Sequence, residues 1–376
     1  MEDHRAGCRV FYKIVGWAPM HLKWIEIDLQ ALRVNFRTAK ALLGPSCGLM
    51  AVVKSDAYGL GAEAASRVFL KEGASCLGVL TLREALDLRQ AGIRGRIVLL
   101  APPLPEEAAE VLTARLEPTV DSIKLASALD RRAKGAPVPV HADLDYGLGR
   151  WGLPPKELDV FLRALSRRRR LRLAGLSAHV DYVPGKNAVE AEEKLRDFHR
   201  RCEGVRRKRP DVVRHAANTS ILFDFPHWKM DMARLGNLLY GINPTNKEAA
   251  LRTPWKFFAR IIAIRDVPKG RSIGYASEYV APRRMRVATL PVGYSDGLTM
   301  EPAERLIRLG SGLQYWGMLR GVETPFVGRC GIAHVLVDVS RVEGARVGDA
   351  VALPIRRTAA SPRIPRVYLD EDAGRT

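Results

Sequence analysis

Eight short apolar runs, most of them followed by an amphipathic stretch, dominate the chain between residues 49 and 241. They read LMAVVK (49–54), CLGVLTL (76–82), RIVLLAP (96–102), LEPTV (116–120), VPVHADLD (138–145), LRLAGLSAHV (171–180), VVRHAAN (212–218) and MARLGNLLYG (232–241). Runs of this kind are buried strands, and the stretches between them, such as 62–72, 82–90, 105–114, 155–166 and 189–207, carry helical periodicity. Eight such βα units are what a closed parallel barrel requires, so the expected fold class is α/β, a TIM-type (β/α)8 barrel.

After residue 244 the pattern changes. From 255 to 367 come β-rich runs, FFARIIAIRDV, MRVATLPVGY, ETPFVGR, HVLVDVS and AVALPI, separated by Gly, Pro and charged turns. They read as a separate C-terminal all-β domain. The expected organisation is an extension over 1–20 with Met20 as an alternative start, a barrel over 21–250, and a β domain over 251–376. The run HLKWIEIDL (21–29) precedes the helical stretch LQALRVNFRTAKALL and could pair with the C-terminal sheet, making that domain discontinuous.

Composition narrows the function classes. The 376 residues hold 60 Lys+Arg against 41 Asp+Glu, a formal charge of +19. No apolar run approaches the roughly 18–20 residues of a membrane span, and the N-terminus lacks a signal-peptide core, so the expected address is cytoplasmic with no membrane partner. The five cysteines Cys8, Cys47, Cys76, Cys202 and Cys330 are scattered, without CxxC pairs or Cys/His clusters, and read as reduced thiols with no metal site. Nucleic acid is disfavoured as the main partner. The one dense cationic run, Arg167 to Arg170 with Arg172, reads as a solvated turn, and no aromatic-interleaved basic motif accompanies it; nucleic-acid binding stays open as a side activity.

Active-site groups of such barrels lie at the carboxyl ends of the strands. The expected ends carry Lys54, then Asp143, Asp145 and Arg150, then His179, then His215 and Asn218, and finally Arg234. Taken alone, a lysine after a strand is more often a solvated terminus than a nucleophile, and a strand-end histidine is more often structural. Lys54, however, stands in AVVKSDAYGLG, where an apolar strand leads directly into lysine, a polar pair, a tyrosine and two glycines. A shielded lysine can lose its proton, and only the neutral amine attacks a carbonyl to form a Schiff base, the chemistry of pyridoxal phosphate enzymes.

VVKSDAYGLG resembles the cofactor-lysine motif of the alanine racemases, a family built from a barrel and a C-terminal β domain. Further matches follow in family order: LDYGLGRWGL (144–153), GLSAHV (175–180), HAANTS (215–220), ARLGNLLYG (233–241), GYASEY (274–279) and PVGYSDG (291–297). The resemblance covers about residues 22–368. It implies a pyridoxal 5'-phosphate-dependent racemase that interconverts L- and D-alanine, supplies D-alanine for peptidoglycan, and works as a head-to-tail homodimer with shared active sites.

The resemblance also implies roles for individual residues. Lys54 holds the cofactor and serves as one base, and Tyr275 of the partner subunit serves as the other, since exchange of a proton between two faces needs a group on each. His179 neighbours that tyrosine. Arg234 faces the pyridine nitrogen, where an always-protonated guanidinium weakens the electron sink and favours simple proton exchange. Phosphate contacts fall to Tyr58, Thr219 and backbone N–H groups near Gly236 and Asn237, with Asn218 beside them. Arg150 lies near the cofactor ring and substrate carboxylate, and Tyr294 and Ile332 border the substrate.

Three positions depart from the family pattern. Asp143 stands where many members carry a carbamylated lysine that orients the neighbouring arginine, and an aspartate is several bonds shorter. Pro362 replaces a tyrosine that helps to bind phosphate. VGRCGIAH has Gly331, Ile332 and Ala333 where a small residue, methionine and aspartate are usual. These changes leave two alternatives to alanine racemisation: a racemase for a larger or basic amino acid, and a degenerate cofactor-binding protein without racemase activity.

Overall fold

A computed structural model describes residues 11–12, 21–277, 279–298, 307–309, 312–314, 316–355 and 357–370. Cys8 and Met20 lie outside the described residues. The chain divides into two compact units, residues 31–253 and residues 1–30 with 254–376.

The first unit is a βα barrel. Helix α1 (Leu29–Leu43) leads into β1 (Gly48–Val52), α2 (Ala62–Lys71), β2 (Cys76–Val79), α3 (Leu82–Gln90), β3 (Ile97–Leu99), α4 (Ala108–Thr113), β4 (Glu117–Val120) and α5 (Ile123–Arg132). It continues through β5 (Val138–Leu144), α6 (Leu158–Ser166), β6 (Leu171–Ala178), α7 (Ala188–Arg206), β7 (Val213–His215), α8 (Thr219–Asp224) and β8 (Met232–Leu235). The eight strands form one parallel sheet in the order β8-β1-β2-β3-β4-β5-β6-β7. The seam between β7 and β8 is bridged where the Arg234 N–H donates to the Ala217 carbonyl at 2.8 Å.

Strand sequences explain the closure. Burial on both faces lets each strand be apolar throughout, and Met50, Cys76, Val98 and Met232 from β1, β2, β3 and β8 pack together as a buried cluster. Gly78 on β2 makes room for that cluster, because a Cβ there would come within 3.0 Å of the Met50 sulfur. Helix starts are written locally: Thr81 and Glu84 form a capping box on α3, and the Ser122 side chain caps α5. On the outer layer, buried Phe36 of α1 stacks on Phe69 of α2 with centroids 5.9 Å apart, and Phe69 meets the edge of Tyr240.

The second unit is all-β. Its largest sheet places Lys23–Asp28 antiparallel to Trp255–Arg260, with Trp255 opposite Ile27, and parallel to Arg366–Leu369. Ala350–Leu353, Trp316–Leu319 and Val322–Pro325 extend that sheet, and a three-stranded sheet joins Ala263–Val267, Met285–Leu290 and Val335–Asp338. The run FFARIIAIRDV, expected as one β element, is divided between the two sheets. Ile261 N–H donates to the Asp349 carbonyl and Ile262 N–H to the Thr289 carbonyl, so the chain changes partners at this pair.

Removing the Phe36 ring opens a cavity in the outer layer of the barrel. Phe36→Ala is expected to destabilise the barrel unit by about 3–5 kcal/mol, read as a lowered midpoint for that unit in urea unfolding followed by circular dichroism.

Candidate active site

At the carboxyl ends of the barrel strands lies a cavity of about 280 Å³. Its lining includes Lys54, Tyr58, Asp143, Arg150, Trp151, His179, Asn218, Thr219, Arg234, Gly236 and Asn237.

Lys54 leaves β1 at the head of a tight turn over Lys54–Gly59. Ser55, Asp56, Ala57 and Tyr58 all take left-handed backbone angles, with φ between 51° and 58°. For non-glycine residues that conformation costs about 1–2 kcal/mol each, so the turn must be held from outside. Ser55 N–H donates to Glu84 Oε1 at 2.6 Å and Ala62 N–H donates to Asp56 Oδ1 at 2.7 Å. Glu84 also accepts the N–H groups of Leu80 and Thr81, which ties the lysine turn to the start of α3. The turn brings Tyr58 back against the carboxyl end of β8: its ring lies 4.7 Å from that of Tyr240, and a Cβ at Gly236 would collide with its phenol oxygen.

Cations crowd this cavity. Burial lowers the Lys54 ammonium below its usual range, Arg150 lowers it further, Glu84 opposes, and Arg234 adds to the lowering. His179 is pushed down to about 3 by burial, then by Arg234, Arg150 and Lys54, against a smaller opposing pull from Asp181. It is therefore a neutral imidazole at neutral pH. Arg234 donates to the Ala178 carbonyl and approaches His179 Nδ1 at 3.5 Å. With Nδ1 facing a guanidinium that has only donors, the ring proton belongs on Nε2. Burial depresses Arg234 too, opposed by Asp143, but a guanidinium starts high enough to stay charged.

The loop after β5 is pinned back on itself. Leu153 N–H donates to the Asp143 carbonyl and Asp145 N–H to the Leu153 carbonyl, while the Asp145 carboxylate accepts from Gly147 and Gly149 N–H. Asp145 is thus a loop fastener and does not line the cavity. The same loop presents Arg150, whose guanidinium lies 4.3 Å from the Trp151 ring centroid. Asp143 does not take up Arg150. The Ser177 hydroxyl donates to its carboxylate, and no ion pair joins Asp143 to Arg150 among the described residues. Burial raises the Asp143 carboxyl, Arg234 lowers it, and Ser177 and Arg150 also lower it.

Two further residues differ from their expected settings. Asn218 lines the cavity, but its Oδ1 accepts from Ile221 N–H at 3.0 Å and so caps α8, while the Thr219 hydroxyl accepts from Leu238 N–H at 3.3 Å. His215, expected at the rim, lies inside the barrel. Its Nε2 is 2.9 Å from His141 Nδ1, and His141 Nε2 is 3.1 Å from Glu117, which is paired in turn with Arg96 at 2.6 Å. Gly175 on the strand between the two histidines allows this approach, since a Cβ there would run into the His141 ring. The relay, together with Trp151, Ser177 and Glu84, escaped sequence reasoning. For Trp151 and Ser177 a signal was present, because each lies inside a motif already singled out, GRWG and GLSAHV.

In the second unit, three sequence-predicted residues lie on exposed surface: Tyr275 at 62%, Ile332 at 61% and Tyr294 at 44% relative exposure. Tyr294 N–H donates to the Gly331 carbonyl and Ser295 N–H to the Ile332 carbonyl, which draws Tyr294 and Ile332 together. A Cβ at Gly274, beside Tyr275, would touch Gly328 and Arg329, and the Tyr275 ring lies 6.1 Å from that of His334. Pro362 and Ala333 are both exposed.

Residues 27–244 match the family description "Alanine racemase, N-terminal domain", and residues 255–366 match "Alanine racemase, C-terminal domain". The chain belongs to the alanine racemase family. It is 36% identical over 335 residues to an alanine racemase of Syntrophobacter fumaroxidans, covering 88% of this chain and 87% of the relative. It is 32% identical over 372 residues to that of Desulfovibrio desulfuricans, covering 92% and 98%. Among solved structures, an alanine racemase of Clostridium difficile superposes with a TM-score of 0.84 at 25% identity, covering 94% of this chain and 97% of that one. Family membership makes the chain an isomerase, and it accounts for the pairing of a (β/α)8 barrel with an all-β unit.

The Glu117 relay carries a pH signature. Burial pushes this carboxyl up, but hydrogen bonds from Arg96 and His141 outweigh it and hold it down to about 2. A depressed carboxyl stabilises the fold above its unfolded pKa and loses that contribution as pH falls toward its folded one. Glu117→Gln is therefore expected to destabilise the barrel unit by roughly 2–3 kcal/mol at pH 7. The difference from the parent should shrink as pH falls from about 4.5 toward 2; denaturant unfolding at a series of pH values checks both statements.

Proposed function

We propose that this protein interconverts L- and D-alanine with pyridoxal 5'-phosphate held at Lys54, in a homodimer whose subunits share their active sites. The observation that carries the reading is a lysine drawn toward its neutral form in one cavity with a buried arginine, a neutral histidine and a tyrosine–glycine cradle. These groups suit the cofactor. A lysine depressed by burial is a competent amine nucleophile, and the missing Cβ at Gly236 lets the Tyr58 hydroxyl lie against the backbone there, where it could donate to a phosphate oxygen. Arg150 adds positive charge near the cofactor ring for a substrate carboxylate. Thr219 and Asn218 sit in the same wall, and Gly236 and Asn237 offer backbone N–H groups.

When bound, the cofactor supplies an electron sink that acidifies the substrate Cα–H. The remaining work falls to the chain. Lys54 moves the proton on one face of the substrate plane, and Tyr275 of the partner subunit moves it on the other. Neutral His179, with Nε2–H free to donate, is suited to hold that phenol oxygen in place, while Arg234 fixes the other side of the imidazole. Because Arg234 does not give up its proton, it opposes protonation of a ring nitrogen beside it and so favours racemisation over transamination. In this reading residues 21–250 carry the cofactor, and residues 251–376 donate the second base and the substrate border formed by Tyr294 and Ile332. The same reading assigns the enzyme to the cytoplasm, in the supply of D-alanine for peptidoglycan; no described helix is long and apolar enough to cross a membrane.

The test is incubation of purified protein and pyridoxal phosphate with each L-amino acid in turn, with products resolved by chiral chromatography. D-alanine is expected from the parent. Lys54→Ala should lose both the product and the visible absorbance of lysine-bound cofactor, whereas Tyr275→Phe should keep the absorbance and lose racemisation by at least about a hundredfold, the scale of one acid/base group. Full activity in Tyr275→Phe would overturn the two-base assignment. A larger or basic D-amino acid as the main product would transfer the substrate border at Ile332 and Ala333 to that substrate, and absorbance without any D-product would leave a cofactor-binding protein. Gly236→Ala, which drives a methyl group against Tyr58, is expected to weaken pyridoxal phosphate binding about tenfold or more, measured by fluorescence titration.

A further inference from the structure

The +19 charge of the chain has no part in the chemistry above. The barrel gives much of it a location. Strands β5, β6 and β7 are neighbours in the sheet and run parallel, so the loops that enter them share one end of the barrel. With the last residues of the helices before them, those loops read RRAKGAP (131–137), SRRRR (166–170) and RRKRPDV (206–212). Their starts lie 35 and 40 residues apart along the chain, yet the strands they enter lie only about 4.8 Å apart. They open at the amino ends of the strands, opposite the cavity that holds Lys54.

Most of this charge is exposed and uncommitted. Arg170 is fastened to Asp130, Arg172 pairs with Asp211 at 3.4 Å, and Arg168 is folded back onto Ser127 and the Ala164 carbonyl. The exposed cations of 131–134 and 207–209, together with Arg167 and Arg169, form no ion pair among the described residues. Structural need explains only part of them. Arg131 and Arg132 close α5, where a cation complements the helix dipole, but an unpaired cation on the solvated loops adds little to stability, and this many in one place repel one another.

We propose that this basic rim is a docking surface for the phosphodiester backbone of nucleic acid, bound without regard to sequence. Arginine predominates, and its planar fork matches phosphate oxygens in pairs. From β5 to β7 the rim spans about 10 Å, a length of duplex axis that carries several phosphates at about 3.4 Å per strand, so the three loops together face a stretch of backbone and not a single phosphate. An anionic membrane fits less well: the three loops carry no exposed large apolar side chain among the described residues, and such anchors accompany cations where a protein lies on lipid. An acidic protein would also seek the aromatic anchors that interfaces concentrate, and these loops have none. Because the rim and the cavity lie at opposite ends of the barrel, docking leaves the cavity open, and the proposal stands independently of the racemase reading.

The experiment uses full-length holoprotein and fluorescently labelled duplexes of about 30 base pairs, one DNA and one RNA, each of random sequence, titrated by anisotropy over about 50–300 mM KCl. The parent is expected to bind both, with affinity falling linearly on a log–log salt plot. The variant Arg131→Gln, Arg132→Gln, Lys134→Gln, Arg167→Gln, Arg169→Gln should lose at least about tenfold in affinity, and its salt slope should flatten by about 3 or more, at about 0.9 for each phosphate no longer neutralised. A control removes the same charge from exposed positions of the β unit: Lys256→Gln, Arg265→Gln, Lys269→Gln, Arg271→Gln, Arg284→Gln. It should stay within about twofold of the parent in affinity, since its charges lie off the rim. Equal losses in both variants would reduce the effect to net charge and overturn the site. So would absence of duplex binding at about 100 mM KCl, or binding to phosphatidylserine vesicles in place of either duplex. Circular dichroism melting curves confirm that each variant is folded.

Discussion

Like charge crowded into low dielectric organises the cavity at the carboxyl ends of the barrel strands. Burial disfavours charge throughout the cavity, and the guanidinium groups of Arg234 and Arg150 keep theirs, so their neighbours give way. His179 gives up its charge altogether and Lys54 is drawn toward the neutral amine, while Asp143 and Glu84 offer only partial compensation. A site in this condition favours an anionic ligand, because each negative oxygen that enters relieves repulsion already present. Burial is the largest cause of both shifts; Arg234 adds most among the charges to that on His179, and Arg150 to that on Lys54, inside the barrel where solvent screening is weak.

Uncommon backbone geometry supports that electrostatic arrangement. The four left-handed residues after Lys54 would not hold by themselves, and Glu84, a capping residue of the next helix but one, accepts a hydrogen bond from the first of them. Likewise, the glycine at 175 lets His141 and His215 meet beneath the cavity, and the glycine at 236 lets Tyr58 lie against β8. Strain in one segment and open space in another are both stabilised by neighbouring elements.

Much of the fold was legible in the sequence because parallel barrel strands are buried on both faces and read as unbroken apolar runs. The same property hid the break at Ile261 and Ile262, where a continuous apolar run serves two sheets in succession and nothing local marks the change. Lys54, Arg150, His179 and Arg234 were read as strand-end polar residues, and Tyr58 entered with the motif around Lys54. The relay of Glu117, His141 and His215 was not, since its members come from three different strands and only the barrel brings them together. The basic rim escaped for the same reason: any one loop reads as a solvated turn, and the cluster exists only after three strands have aligned. Asp143 was seen, but its pairing with Ser177 across β5 and β6 depends on register that no single strand encodes.

The contact between the loop at Gly293–Asp296 and the segment Gly331–Ile332 bears on how such a protein can change over evolutionary time. Gly293 lies so close to the Gly331 and Ile332 carbonyls that a Cβ would collide with both, and Tyr294 and Ser295 are both hydrogen-bonded to that segment. Neither loop can shift without the other. A drift in the residues of one is therefore accepted only with an accommodating drift in its neighbour, and lineages that explore new side chains at 331–333 will do so in paired steps. Positions 293 and 331 act as a ratchet on that exploration, limiting which intermediates can be passed through.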